Sequence, residues 1–94
     1  MTKLYSEEQK MRAKETDLAR YLMTRGETLK PAGGEYVWVY RDSAGVHDSV
    51  TIRNNKWFDH KRQQGGDAIG FLQEFYGMKF RDAVERLLGG EQGD

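Results

Sequence analysis

The sequence predicts an α+β fold: a small antiparallel sheet of three or more strands, packed with one N-terminal helix and two C-terminal helices. Two patterns carry that expectation. Apolar residues recur at helical spacing near both ends of the chain. Met11, Leu18, Tyr21 and Leu22 fall on one stripe, and Phe80, Ala83, Val84, Leu87 and Leu88 follow the i, i+3, i+4, i+7, i+8 series. Between these ends lies a sheet region, residues 35–62: residues 36–40 alternate aromatic and β-branched side chains, and residues 46–52 and 56–60 follow across short Asn-, Asp- and Gly-containing turns, as strands do. At 94 residues the chain is long enough for one domain and too short for two.

Taken in order, residues 1–26 read as the N-terminal helix. Ser6 with Gln9 makes a capping-box pattern, Glu7 and Glu8 suit the positive end of the helix dipole, and Gly26 is a natural stop. Thr16 and Asp17 offer a second start, which predicts loose or kinked first turns. Pro31, Gly33 and Gly34 mark a turn or loop. Residues 36–40 read as a strand, 42–45 as a turn and 46–52 as a second strand. Asn54-Asn55 forms a tight hairpin turn, because Asn tolerates positive φ. Residues 56–60 make the third strand, and 63–66 a loop. Residues 67–76 are helical, with Ile69, Leu72, Phe75 and Tyr76 on one face and Gly77 as the stop. Gly89-Gly90 closes the last helix, so 66–90 form a helical pair and 91–94 a fraying polar tail.

Composition narrows the function classes. The hydrophobic share of 37% is low, while 12% of residues are aromatic, so the core is built around Tyr, Phe and Trp, with Trp38 and Trp57 inside it. With no cysteine, disulfides and thiolate metal sites are excluded. No apolar run reaches the length of a membrane span and no signal-peptide stretch opens the chain, so a cytoplasmic location is expected, without membrane contact. Net charge is zero but uneven: residues 53–65 hold Arg53, Lys56, Lys61 and Arg62 against Asp59 alone, whereas the acids gather in residues 66–94. A local basic surface is what nucleic acid requires. No nucleophile–base pair and no acidic metal cluster of a polymerising enzyme is recognisable, so no catalytic residue is assigned.

Strand register sharpens this reading. If Asn54-Asn55 is a two-residue loop, Ile52 opposes Trp57, Thr51 opposes Phe58, Val50 opposes Asp59 and Ser49 opposes His60. One hairpin face then carries Val50, Ile52 and Trp57 and belongs to the core. The other carries His47, Ser49, Thr51, Arg53, Lys56, Phe58, His60 and Arg62. Cations interleaved with rings suit a single strand, whose phosphates and bases they meet respectively. Arg53, Lys56, Phe58, His60, Lys61 and Arg62 are therefore the candidate nucleic-acid-binding residues. Two further readings stay open: Gly65-Gly66-Asp67 either cradles a phosphate or caps a helix, and His47 and His60 either join Asp59 at a metal or are hydrogen-bonded strand residues.

Ser49-Val50-Thr51-Ile52, Lys56-Trp57-Phe58, Gly65-Gly66-Asp67-Ala68-Ile69-Gly70-Phe71 and Phe80-Arg81-Asp82-Ala83-Val84-Glu85-Arg86-Leu87 occur in an order and spacing that resemble the Cys-His-Cys-Cys zinc-binding domain of bacterial DNA primases. The resemblance runs from Tyr40 to Leu88. It sets Tyr40 and Ser43 at the positions of the first Cys and His, and Asp59 and Arg62 at those of the last two Cys. All four metal ligands are replaced, so the resemblance implies a degenerate, metal-free zinc ribbon with no cofactor. His47-Asp48-Ser49 is similar to a cysteine-free branch found ahead of Toprim-type catalytic domains in mobile-element proteins. An Asp59–Arg62 ion pair near Tyr40 is expected at the former metal position. A structural zinc contributes on the order of ten kcal/mol and a surface ion pair about one or less, so packing of helices on the sheet has to supply most of the replacement.

The expectation is a DNA-binding accessory domain rather than an enzyme. It would contact single-stranded template in a DNA primase-like replication or mobile-element protein, alongside a Toprim-like catalytic domain or another replication partner. The alternative is a protein-interaction module that docks the N-terminal helix or the sheet on a partner or catalytic domain.

Overall fold

The computed structural model describes residues 5–92, which fold as α1 (Glu7–Lys14), α2 (Leu18–Thr24), β1 (Thr28–Ala32), β2 (Glu35–Asp42), β3 (Gly45–Arg53), β4 (Lys56–Asp59), β5 (Gln64–Asp67), α3 (Ala68–Tyr76) and α4 (Phe80–Gln92). The strands form one antiparallel meander in the order β1-β2-β3-β4-β5, and helices cover one of its faces. The α+β expectation holds, with five strands and with the N-terminal helical region split in two.

The split has a local cause. Ser6 and Gln9 close a capping box on α1, and Asp17 caps α2 by accepting from the Arg20 amide at 3.1 Å. The tip of the β3–β4 hairpin is fastened to the junction: Asn55 donates to Lys14 O at 2.9 Å, and Leu18 N donates to Asn54 O at 2.9 Å. A continuous helix would have consumed both backbone groups. Leu18 and Leu22 are fully buried as expected, but Met11 is 55% exposed, because α1 buries Ala13 instead. Residues 1–4 of the expected helix lie outside the described residues.

Two segments expected as loops are strands. The segment with Pro31 becomes β1, an edge position where a missing N–H is tolerated, and Gly33 and Gly34 take positive φ in the turn to β2. The segment 63–66 contributes β5, which pairs with β4 from Gln64 to Asp67. The sheet therefore spans residues 28–67 rather than 35–62. Gly89 and Gly90 do not stop α4, which continues to Gln92; this covers 91–92 of the expected tail, while 93–94 lie outside the described residues. Glycine weakens a helix without forbidding it, whereas Gly77 ends α3 because it adopts φ 68°.

The core lies between sheet and helices. Trp38, Val50, Ile52 and Trp57 face Leu18, Leu22, Phe71, Leu72, Val84 and Leu87. Phe71, absent from the expected helix face, is fully buried, whereas Phe80, expected in the core stripe, is 44% exposed because it opens α4 at the rim. Each large apolar side chain contributes about 1.5–3 kcal/mol on burial. Glu27 serves two donors at the edge of the core, accepting from Trp38 Nε1 at 2.9 Å and from the Tyr76 hydroxyl at 2.7 Å, whereas the buried Tyr21 hydroxyl has no hydrogen-bond partner among the described residues. Burial, then the Glu27 hydrogen bond, pushes the Tyr76 phenol well above its ordinary value.

Candidate nucleic-acid interface

The hairpin register is the one that the Asn54-Asn55 turn predicts. Val50 pairs with Asp59, Thr51 with Phe58, Ile52 with Trp57 and Arg53 with Lys56, while His60 N donates to Ser49 O at 2.8 Å. Asn54 takes φ 57°, the positive value an Asn accepts in such a turn.

Pairing across all five strands then defines the uncovered face. Lys30 pairs with Val37, Val37 with Thr51, Thr51 with Phe58 and Phe58 with Gly65, so these five form one row across the sheet. Thr28 and Val39 extend the face on one side of the row, and Arg53 and Lys56 on the other. Phe58 sits in this row beside the edge strand β5, 37% exposed. Gly65 explains how its ring lies: a Cβ there would come within 2.9 Å of Phe58 Cδ1 and 2.6 Å of Trp57 O, so the ring leans over bare backbone. His60 stands edge-on to it with centroids 5.0 Å apart, and its Nε2 shares a 3.0 Å hydrogen bond with Thr51 Oγ1.

Of the six candidate residues, Arg53, Lys56, Phe58 and His60 share this face, and Lys61 is exposed in the turn beyond β4. Arg62 does not belong with them. Its Nε donates to Asp59 at 2.8 Å, its Nη1 to Glu74 at 2.8 Å, and its guanidinium lies 5.3 Å from the Phe75 ring centroid. Lys30 was missed because its segment read as a loop. The alternation Leu29-Lys30 beside a Gly-Gly turn was the available signal.

Two other expectations need correction. His47 and Ser49 were placed on the basic face. Trp38 pairs with Val50 but Tyr40 with His47, so β3 carries an extra residue between those pairs. This bulge inverts the alternation beyond it. His47 consequently stacks on Tyr40 with centroids 4.7 Å apart, and Tyr40 stacks on Trp38 at 4.1 Å, all on the covered side. His47 Nε2 also contacts Asp42 Oδ1 at 2.8 Å, a hydrogen bond that, with the Ala44 amide, lowers the Asp42 pKa. Thus His47 and His60 lie on opposite faces and do not gather around Asp59. Among the described residues no three His, Cys, Asp or Glu side chains group closely enough to hold a metal ion.

At the positions that the primase resemblance assigns to ligands, Asp59 and Arg62 do meet. Asp59 is 5% exposed and accepts from Ser49 Oγ at 3.0 Å, from the Lys61 and Arg62 amides at 3.0 and 3.3 Å, and from Arg62 Nε. Burial alone would raise its pKa; the Arg62 guanidinium and amide, Ser49 and the Lys61 amide outweigh that and hold it below the ordinary value. Tyr40 feels both charges, although burial is the main reason its phenol is raised. Ser43 is apart, exposed at the β2–β3 turn. A guanidinium already bonded to the only carboxylate of this set does not fit zinc.

Gly65-Gly66-Asp67 resolves as strand and cap. Asp67 Oδ1 accepts from the Gly70 amide at 2.8 Å, placing a carboxylate where a phosphate would bind, and Asp67 O accepts from Trp57 Nε1 at 3.0 Å. No described helix is long and apolar enough to cross a membrane.

No protein-family signature and no solved structure matches the chain. It is 35% identical over 92 residues to the uncharacterized protein pXO2-78 of Bacillus anthracis, an alignment covering 96% of this chain and 25% of that protein. The chain thus spans about a quarter of the length of this relative.

Proposed function

We propose that the open sheet face binds single-stranded DNA, as a non-catalytic, metal-free domain of a primase-like or mobile-element replication protein. It holds template for a Toprim-type catalytic domain or another replication partner outside these residues. The observation that carries this reading is the exposed Phe58 ring, laid over Gly65 on a face whose cations are Lys30, Arg53 and Lys56, with His60 and Lys61 at one end. A ring on a sheet face stacks a base of any identity, and cations on the same strand (Lys56), on the adjacent strand (Arg53) and on β1 (Lys30) reach flanking phosphates. Duplex DNA keeps its bases stacked on one another and gives the ring nothing to cover. The length of the relative supports a module within a larger polypeptide.

Fluorescence anisotropy with a labelled oligothymidylate at two salt concentrations tests it. With three or four phosphate contacts, log affinity should fall against log salt with a slope of about −2 to −3. A duplex of the same length should bind more weakly. Equal affinity for duplex, or no binding at low salt, would overturn the proposal.

A further inference from the structure

Met11 on α1 and Phe80 at the start of α4 are 55% and 44% exposed, and both line a groove of about 350 Å³ that also takes in the buried Ile69 and the bare main chain of Gly70 on α3. The remaining lining is Lys10, Lys14 and Gln73 with two acids, Glu7 and Asp67. Both acids are engaged. Glu7 pairs with Lys10 at 3.2 Å, and Asp67 accepts from the Gly70 amide at 2.8 Å. Lys14 makes no ion pair among the described residues, so it is the cation left for a ligand.

The groove also adjoins the open face of the sheet. Asp67 is the cross-strand partner of Lys56, and Asn55, at the tip of the same hairpin, donates to Lys14 O at 2.9 Å. Lys56 on the open face and Lys14 at the groove are thus drawn to one hairpin tip. A strand that leaves Phe58 past Lys56 meets Lys14 next.

We propose that this groove is a second nucleotide site, which takes one unstacked base of the same single strand between Met11 and Phe80, with a phosphate at Lys14 and the base's polar edge at Gln73. This second site presupposes strand binding on the open face and extends it around the hairpin tip. Ligand pockets begin at about 300 Å³, so the groove has room for a single nucleoside. An aliphatic side chain of a protein partner would leave Lys14 without a counter-charge. A second copy packed groove to groove would set the same lysines against each other.

NMR titration of the whole chain with trithymidylate and with decathymidylate tests the proposal. The trimer should shift residues 53–58 alone, and the decamer should shift those together with 10–14, 69–73 and 80. Phe80→Ala should weaken decamer binding about threefold or more and leave trimer binding unchanged. Gln73→Glu, at an exposed position outside the core, should do the same at unchanged Tm. Lys14→Gln should make the decamer's salt slope shallower by about 0.7 without altering the trimer's. Decamer shifts at 53–58 with none in the groove would overturn the second site and leave the open face standing. Shifts in the groove without any at 53–58 would overturn the open-face reading and with it the continuous path, and no shifts at either place would overturn both. Concentration-dependent broadening at residues 11 and 80 without oligonucleotide would also overturn the second site, assigning the groove to a second copy.

Discussion

Trp57 and Phe58 are neighbours in β4, both aromatic and both flanked by β3 and β5, yet their surroundings differ in every respect. Trp57 is 6% exposed, packs edge-on against Phe71 and Phe75, and has its indole N–H bonded to Asp67 O. Phe58 faces away from the helices, meets His60 at its edge and Gly65 beneath, and leaves 37% of its surface open. Residue type does not separate these fates. A two-residue turn at Asn54-Asn55 does, because it decides which ring each cross-strand partner sees. One face of β4 holds the domain together, and the other is available to a ligand.

Deleting each ring in turn separates the two faces most directly. Trp57→Ala should cost about 3–5 kcal/mol, as deletion of a large core aromatic does, and on a domain this small that approaches the whole folding free energy. Phe58→Ala should cost about 1 kcal/mol or less. Chemical denaturation of the two variants measures both. Similar losses would mean that the open face is covered in solution.

Asp59 sharpens the comparison, because it is a charged group on the covered side. Its folded pKa lies below its unfolded value, so the stability it contributes is fully present above the ordinary aspartate pKa of about 3.9 and is lost as pH falls through the lower folded value. Asp59→Asn should lower stability by about 2 kcal/mol at neutral pH. The difference between wild type and variant should shrink as pH drops through that window. A gap independent of pH would mean that the Arg62 pair contributes nothing to folding.

How much of this was legible follows from the physics of each element. The 54–55 turn fixed the register because Asn accepts positive φ and the flanking residues alternate cleanly. The capping residues Ser6, Asp17 and Asp67 were readable for a similarly local reason, although Asp17 signalled a kink rather than a second helix. The bulge near Ser49 was not readable: no Gly or Pro marks it, and it arises from pairing with β2, which left His47 assigned to the wrong face. β1 and β5 were missed because Pro31 and Gly65-Gly66 resemble loop residues until a neighbouring strand supplies partners. Arg62 was read both as part of a basic run and as the partner of Asp59; the Asp59 pair forms, and what stayed hidden was the approach of Glu74 from α3, which gives the guanidinium a second carboxylate.

Because Asp59 and Glu74 hold Arg62, the cations to reverse for binding lie on the open face. Arg62→Glu belongs with Asp59 as a stability probe, since it sets three carboxylates together. Arg53→Glu with Lys56→Glu reverses two exposed cations on the open face and should weaken oligonucleotide binding about tenfold or more while leaving Tm within a few degrees. If instead binding survives and Arg62→Glu alone removes it without unfolding, the phosphates run along the α3 side of the sheet.

The smallest expected effect is also the most discriminating. Phe58→Ala removes a stacking surface and no charge, so it should weaken binding by about 1 kcal/mol or slightly more, roughly five- to tenfold, at every salt concentration. Its plot of log affinity against log salt should lie parallel to that of wild type, whereas the plot for Arg53→Glu with Lys56→Glu should be shallower, because fewer counterions are released. Parallel lines would establish that ring and cations act on the same strand through different parts of it. A flattened slope for Phe58→Ala would mean that the ring only positions Lys56 and Arg53, and that the open face is an electrostatic surface without a stacking site.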